Sequence, residues 1–269
     1  LAGRSGSKTS EPAGSDAGSA KASSKKETVE LQVFAANSLE KALPEVQELY
    51  ADQTGTTFAD TQFKASGDLV EQMRAGATVD VLITASKGTM DDAETAELVD
   101  TDTREDMFVN DLVIVRAEGS DTKVEAIADV ANLDGKIAIG DAKTVPAGTY
   151  ANQALASVGL YTGTEGDDGE YAPEIADKVA LADKGGTAAA YVSTGDCVAG
   201  FVYSSDIFRY DGIEEAFVCP EDSHKPIVYP GAVAESSEHA DEAKAFIDFC
   251  LTNKKAQKIW AKYGFELSA

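Results

Sequence analysis

The sequence predicts an α/β protein built on mostly parallel sheet with helices on its faces. Two observations predict it. Short apolar strand-like runs alternate with stretches whose apolar residues recur at helical spacing, in the order β-α-β-α-β-α between residues 30 and 98. The same alternation starts again at Asp111-Leu112-Val113-Ile114-Val115-Arg116. At 269 residues the chain can bury a sizeable core, and its length suits either two modest lobes or one large domain.

The first element is Glu30-Leu31-Gln32-Val33-Phe34-Ala35-Ala36, a strand pattern ending in small residues. A helix follows it, with Leu39, Ala42, Leu43, Val46, Leu49 and Tyr50 at helical spacing and Asn37 or Ser38 as the cap. Pro44 lacks an N–H and clashes with the carbonyl four residues earlier, so a kink is expected in this helix. Thr57 to Phe63 fits a second strand. Lys64-Ala65-Ser66-Gly67-Asp68 then turns into a helix carrying Leu69, Val70 and Met73, which Gly76 ends. Val79-Asp80-Val81-Leu82-Ile83-Thr84 fits a short buried strand, and Met90 to Leu98 another helix.

Beyond the strand at Asp111, Lys136-Ile137-Ala138-Ile139-Gly140 fits a strand and the stretch from about Thr149 to Val158 a helix. Gly163 to Gly169 is a polar loop. Helices are expected around Ile175 to Leu181 and Thr187 to Val192, and strands at Val198 to Tyr203, Ala216 to Val218 and Ile227 to Tyr229. One long amphipathic helix, from about Asp241 to Trp260, closes the chain. Its apolar face, Ala245, Phe246, Phe249, Cys250 and Ile259, suits packing on a sheet, with Trp260 as an anchor.

Acidic residues outnumber basic ones by 47 to 23, a formal net charge of −24. Nucleic acid demands a basic surface, so this balance argues against such a partner. It does not forbid an anionic ligand, because screening over about 8 to 10 Å leaves local dipoles in control of a closed pocket. Residues 1–28 are rich in Gly, Ser, Ala, Lys and Thr and hold no aromatic residue, the composition of a flexible tether. Leu1-Ala2-Gly3-Arg4 resembles a bacterial lipoprotein processing box with Arg4 where the lipid-carrying Cys would stand, which would make the natural form membrane-anchored. An ordinary leader remnant is the other reading. No run of about 18 apolar residues occurs. Of the three cysteines, Cys250 falls in a helical apolar pattern and reads as a buried free thiol. Cys197 and Cys219 each sit beside a strand-like run, where an exported protein permits a bridge between them, and two free thiols are the alternative.

Four segments share one physical signature: small residues and hydroxyls at the end of a strand or loop, with a helix starting immediately afterwards. They are Ala36-Asn37-Ser38, Ala65-Ser66-Gly67, Val145-Pro146-Ala147-Gly148 and Lys184-Gly185-Gly186-Thr187. A helix N-terminus presents unpaired N–H groups and partial positive charge, which attract anions wherever no bulky side chain intervenes. Each segment alone reads equally as a capped helix start. Together they would lie at the carboxyl ends of strands, where ligands bind in open α/β sheets. Tyr203, ending an apolar strand, could add a phenolic O–H, or simply be a boundary aromatic.

Those segments carry a resemblance. Phe34-Ala35-Ala36-Asn37-Ser38-Leu39, Ala65-Ser66-Gly67, Gly76 to Ala85, Val145 to Ala151, Gly200-Phe201-Val202-Tyr203, Pro220 to Lys225 and the ending Lys262-Tyr263-Gly264-Phe265 resemble the periplasmic molybdate-binding proteins of ABC importers. The blocks stand in that family's order over roughly residues 30 to 267. The resemblance implies a two-lobed periplasmic-binding-protein fold with a two-crossover hinge near Val109 to Val113 and Tyr229 to Ala232. One lobe would hold residues 29–110 and 231–269, the other 111–230. It implies an extracytoplasmic monomer that needs no cofactor, takes molybdate or tungstate as ligand and hands it to the membrane subunits of an ABC transporter. Carried over by position, the ligand would be held by the hydroxyl and N–H of Ser38 and Ser66, the N–H of Ala147 and of Gly185, and the hydroxyl of Tyr203. Two departures bear on selectivity: the family usually has Ala at Asn37, and Asp68 would oppose a dianion unless it faces solvent.

A pocket of donors alone prefers fully ionised molybdate, tungstate and sulfate over phosphate, whose proton needs an acceptor. Sulfate or another small oxyanion is therefore the main alternative ligand. A serine hydrolase would need a base beside Ser38 or Ser66, yet there is no G-x-S-x-G turn, and the only histidines, His224 and His239, read as surface residues. Cys219 and His224 make one candidate metal pair, where structural zinc takes four ligands. A regulator's sensing domain shares the fold, but no DNA-binding segment is present.

Overall fold

The computed structural model describes residues 28–268. The tether expected at residues 1–28, but for its last residue, and the Leu1 to Arg4 box lie outside the described residues. In chain order the elements are β1 (Glu30–Leu31), β2 (Val33–Ala36), α1 (Ala42–Thr54), β3 (Thr57–Phe58), β4 (Gln62–Lys64), α2 (Ser66–Arg74), β5 (Val81–Ile83), α3 (Lys87–Thr95), β6 (Glu105–Asn110) and β7 (Leu112–Ala117). They continue with β8 (Ile137–Gly140), α4 (Pro146–Ser157), α5 (Pro173–Ala176), β9 (Val179–Ala182), α6 (Gly185–Ser193), β10 (Ala199–Tyr203), α7 (Asp206–Arg209), β11 (Ile213–Val218), β12 (Ile227–Val233), α8 (Ala240–Thr252), α9 (Lys254–Lys262) and β13 (Glu266–Leu267).

Two main sheets organise the molecule as two lobes. The first has the order β13-β6-β12-β5-β2-β4 and the second β11-β7-β10-β8-β9. The strands that lead into helices pair parallel, as the alternation requires: β4-β2-β5 in one sheet, β9-β8-β10 in the other. Around them both sheets are mixed. β6, β7, β11, β12 and β13 pair antiparallel with their neighbours. The chain passes between sheets twice, at Asp111 and between Val218 and Ile227.

Strand alternation explains why each sheet is covered on both faces. Val33 and Ala35 point into the large apolar cluster that runs through both lobes, whereas Phe34 points the other way, into the cluster with Leu69, Leu82 and Met90. In the second sheet Leu112 and Ile114 join the large cluster, and Val113 and Val115 pack with Ala188, Val192 and Val202 beneath α6. Trp260 anchors the C-terminal layer as expected. Its ring is fully buried 4.3 Å from that of Phe108, and its indole N–H donates to the Cys250 carbonyl at 3.0 Å.

Several local expectations are corrected. Ser38 lies in a single 3-10 turn, Asn37–Leu39, and α1 starts only at Ala42. Pro44 is thus in the first helical turn, where N–H groups have no intrahelical partner, and the reason for a kink disappears. The long terminal helix is two. Asn253 is extended (φ −76°, ψ 125°), and its side-chain oxygen accepts from the N–H groups of Lys255 and Ala256 at 3.0 and 3.1 Å, capping α9. Of the helix expected at Ile175 to Leu181 only α5 forms; Val179–Ala182 is instead a strand on the edge of the second sheet. The Thr57 to Phe63 strand splits into β3 and β4. Strand β6 had no apolar signal in its charged Glu105 and Asp106. Cys197 and Cys219 are both buried free thiols in clusters on opposite faces of the second sheet, so no bridge joins them.

Candidate anion-binding site

The carboxyl ends of β2, β4, β8, β9 and β10 converge on one cleft between the lobes, and a cavity of about 470 Å³ lies there. All five residues singled out from the sequence, Ser38, Ser66, Ala147, Gly185 and Tyr203, line it. Ser38 and Ser66 come from the first lobe, the other three from the second. Asn37 also lines the cavity, while Asp68 is exposed and outside its lining.

The helix starts at this cleft share a local chemistry. The residues preceding the 3-10 turn, α2, α4 and α6 are Ala36, Ala65, Val145 and Lys184, and none offers a side-chain cap. Away from the cleft, α3 and α9 are capped by Ser86 and Asn253. The cleft-facing first turns therefore keep N–H donors that no capping side chain occupies, as do α1 and α8. Gly148 lets α4 approach β8: a Cβ there would sit 1.9 Å from the Gly140 carbonyl oxygen. At Gly185, which lines the cavity, nothing lies within 4 Å of the Cβ position, so no neighbour crowds this turn on that side.

Each serine oxygen is already engaged on one side. Ser66 Oγ accepts from the Ala85 N–H at 2.9 Å, leaving its own hydrogen to be donated elsewhere. Ser38 Oγ lies 2.7 Å from the Tyr229 hydroxyl. Tyr203 is more telling. Its hydroxyl is the one buried side-chain polar atom, among the described residues, with no hydrogen-bond partner. Such an orphan costs about 1–3 kcal/mol. Burial holds its pKa well above the ordinary value of 10.0, so the group stays a neutral donor.

Charged groups that the sequence did not single out frame this donor set. Asp206, buried at the start of α7, accepts from the Tyr203 N–H at 2.9 Å, which braces the end of β10. Burial raises its pKa from 3.8 to about 6, against the opposing pull of that N–H and of Arg209. Arg209 also lines the cavity, and its Nε donates to Glu40 of the first lobe at 2.7 Å. The only local sign of this pair in the sequence is the i, i+3 spacing of Asp206 and Arg209 after a strand. Because Asp206 and Asp183 reach the cavity wall, the lining is not made of donors alone, as the sequence suggested.

No His lies in the cavity lining, so neither serine has a histidine base there. Among the described residues no group of three His, Cys, Asp or Glu is placed to hold a metal ion, and no helix is long and apolar enough to cross a membrane. The hydroxyls and N–H groups of this lining can surround a small anion from both lobes, with the cations of Lys64, Lys184 and Arg209 and the carboxyl groups of Asp183 and Asp206 also at the wall.

Residues 31–266 match the family described as bacterial extracellular solute-binding protein. The chain is 34% identical to the molybdate-binding protein ModA of Escherichia coli (strain K12), over 88% of this chain and 89% of that one. It is 30% identical to a putative ABC transporter substrate-binding lipoprotein, YvgL, of Bacillus subtilis (strain 168), over 88% and 86%. Among solved structures it is similar to the substrate-binding domain of a putative molybdenum ABC transporter from Clostridium difficile, with a TM-score of 0.73 and 31% identity, covering 89% of this chain and 99% of that one. With its fold, its interlobe cleft and these likenesses in agreement, the chain belongs to the bacterial extracellular solute-binding protein family.

Proposed function

We propose that the protein captures molybdate, and tungstate as its close analogue, for the membrane subunits of an ABC importer. The observation that carries this reading is the Tyr203 hydroxyl, a buried donor without a partner in the same cavity as Ser38 and Ser66. In the proposed complex the ligand oxygens accept from the hydroxyls of Ser38, Ser66 and Tyr203 and from N–H groups of Ser38, Ser66, Ala147 and Gly185. The names of the E. coli and C. difficile relatives, both at more than 30% identity over most of the chain, support the choice of ligand. The protein acts by binding, without a cofactor and without a catalytic step.

The lobe division we propose is 29–110 with the C-terminal segment against the intervening residues. The pairing of β12 with β6 from Ile227 onwards supports a return a few residues before 231. At about 470 Å³ the cavity is several times larger than a tetrahedral oxyanion, so capture draws the lobes closer. The closed form is what the transporter recognises. We also propose that the protein works as a monomer held at the membrane by a lipid anchor; the lipoprotein named among its relatives supports that. An intact mass of the natively expressed protein without added lipid would remove the anchor from this account.

Titration calorimetry in anion-free buffer tests the ligand. Molybdate and tungstate bind tightly and sulfate much more weakly. Heat from neither metal oxyanion refutes the reading, and tighter binding of sulfate makes the protein a sulfate carrier instead.

A further inference from the structure

Tyr229, in β12, has no counterpart among the residues that touch the proposed ligand. Its ring is fully buried and packs edge-on against Phe108, Tyr203 and Phe265. A phenylalanine would serve that packing. The hydroxyl has a different use, because it lies 2.7 Å from Ser38 Oγ and 3.3 Å from Asn110 Nδ2.

The direction of these bonds follows from donor chemistry. The side-chain oxygen of Asn110 accepts from the Asp111 N–H at 3.0 Å and from the Ser204 hydroxyl at 2.7 Å, which turns the amide nitrogen towards Tyr229 and Ser205 Oγ, 2.9 Å away. An amide nitrogen only donates. Tyr229 Oη therefore accepts from Asn110, and Ser38 Oγ is the one acceptor recorded, among the described residues, within reach of its hydrogen. Ser38 is left with a hydrogen to give and faces the cavity as a donor. Asn110 ends β6 at one lobe crossing, so this orientation is set by the hinge and not by the loop that carries Ser38.

We infer that Tyr229, held by Asn110, is a specificity-determining positioning residue: it fixes Ser38 as a hydrogen donor and thereby selects fully ionised oxyanions over those that carry a proton. The inference rests on the anion-binding reading of the cleft. A proton-bearing anion that turned its O–H towards Ser38 would meet another hydrogen, and the serine could accept it only by aiming its own hydrogen away from any acceptor.

The test compares sulfate with phosphate, two tetrahedral anions of similar size, in mildly alkaline buffer where phosphate is a dianion with one proton. Tyr229→Phe should lower sulfate affinity while phosphate affinity holds or rises, shifting their ratio at least about fivefold towards phosphate. Ser38→Ala, the control, should weaken both. Equal losses for both anions in Tyr229→Phe, with sulfate binding intact in the parent protein, overturn the inference and leave the anion site standing. A parent protein that binds neither molybdate, tungstate nor sulfate overturns the anion site itself. Neutron diffraction of the unsubstituted protein decides the matter without any variant: the deuterium between the two oxygens should sit on Tyr229, and finding it on Ser38 overturns the inference.

Discussion

Arg209 of the second lobe, which lines the cleft, donates through Nε to Glu40 of the first at 2.7 Å. The arginine is mostly shielded, and the carboxylate is partly solvated, with its side chain 37% exposed. A pair of this kind contributes about 0.2–1 kcal/mol and weakens with salt. It also favours the arrangement in which the lobes approach each other. Glu40→Gln should therefore weaken ligand binding by a factor of about two to five at low salt, and by less at high salt. Titrations of both proteins at two ionic strengths check this, and a loss that does not depend on salt would speak against a latch.

Tyr203→Phe separates stability from binding more sharply. The hydroxyl it removes is buried and has no partner in the protein, so its loss relieves a desolvation cost. Thermal melting without ligand should show the variant unchanged or slightly more stable. Calorimetry with molybdate should show a loss of about 1.5–3 kcal/mol, the value of a hydrogen bond to a charged group. A destabilised variant that binds normally would place the ligand elsewhere.

The two serines should differ in the same pair of measurements. Ser66 Oγ is the acceptor for the buried Ala85 N–H, so Ser66→Ala leaves that donor unpaired and costs about 1–3 kcal/mol of stability before any ligand is added. It also removes a donor to the ligand, worth about 1.5–3 kcal/mol of affinity. Ser38→Ala strands the Tyr229 hydroxyl instead, and its loss of affinity should be of similar size. Unchanged affinity in both variants would mean that the cleft is not the site.

Much of this site is legible in the sequence because its donors sit where local patterns end. The strand alternation at Val33 to Ala36 and the small residues at Ala65 to Gly67 and Val145 to Gly148 mark strand-to-helix turns, and Tyr203 closes an apolar strand. The residues that orient those donors leave no such mark. Glu40 and Arg209 are 169 positions apart, and Ser38 and Tyr229 are 191 apart, so no window along the chain contains both partners. Strand β6 is hidden for a related reason: its charged start, Glu105 and Asp106, is held by β12 from far along the chain. The break at Asn253 escaped because apolar spacing continues across it into α9, and only the capping bonds of its side chain reveal the new helix start.

Asp206 gives the protein a pH dependence of unusual sign for a carboxylate. Burial raises its pKa from the ordinary 3.8 to about 6, so between these values the folded protein holds a proton that the unfolded chain has released. Stability from this group is then fully present below 3.8 and is lost as pH rises through about 6. A carboxylate whose pKa is lowered, as that of Glu45 is by its bond from Tyr263, works in the opposite direction. The contribution is exposed by difference: Asp206→Asn keeps a neutral acceptor for the Tyr203 N–H and cannot titrate. The melting temperature of the variant relative to the parent should rise as pH goes from below 3.8 to above 6, where the parent carries a buried charge and the variant does not. A difference that stays flat over that window would mean that Asp206 ionises normally, with Arg209 paying in full for its burial.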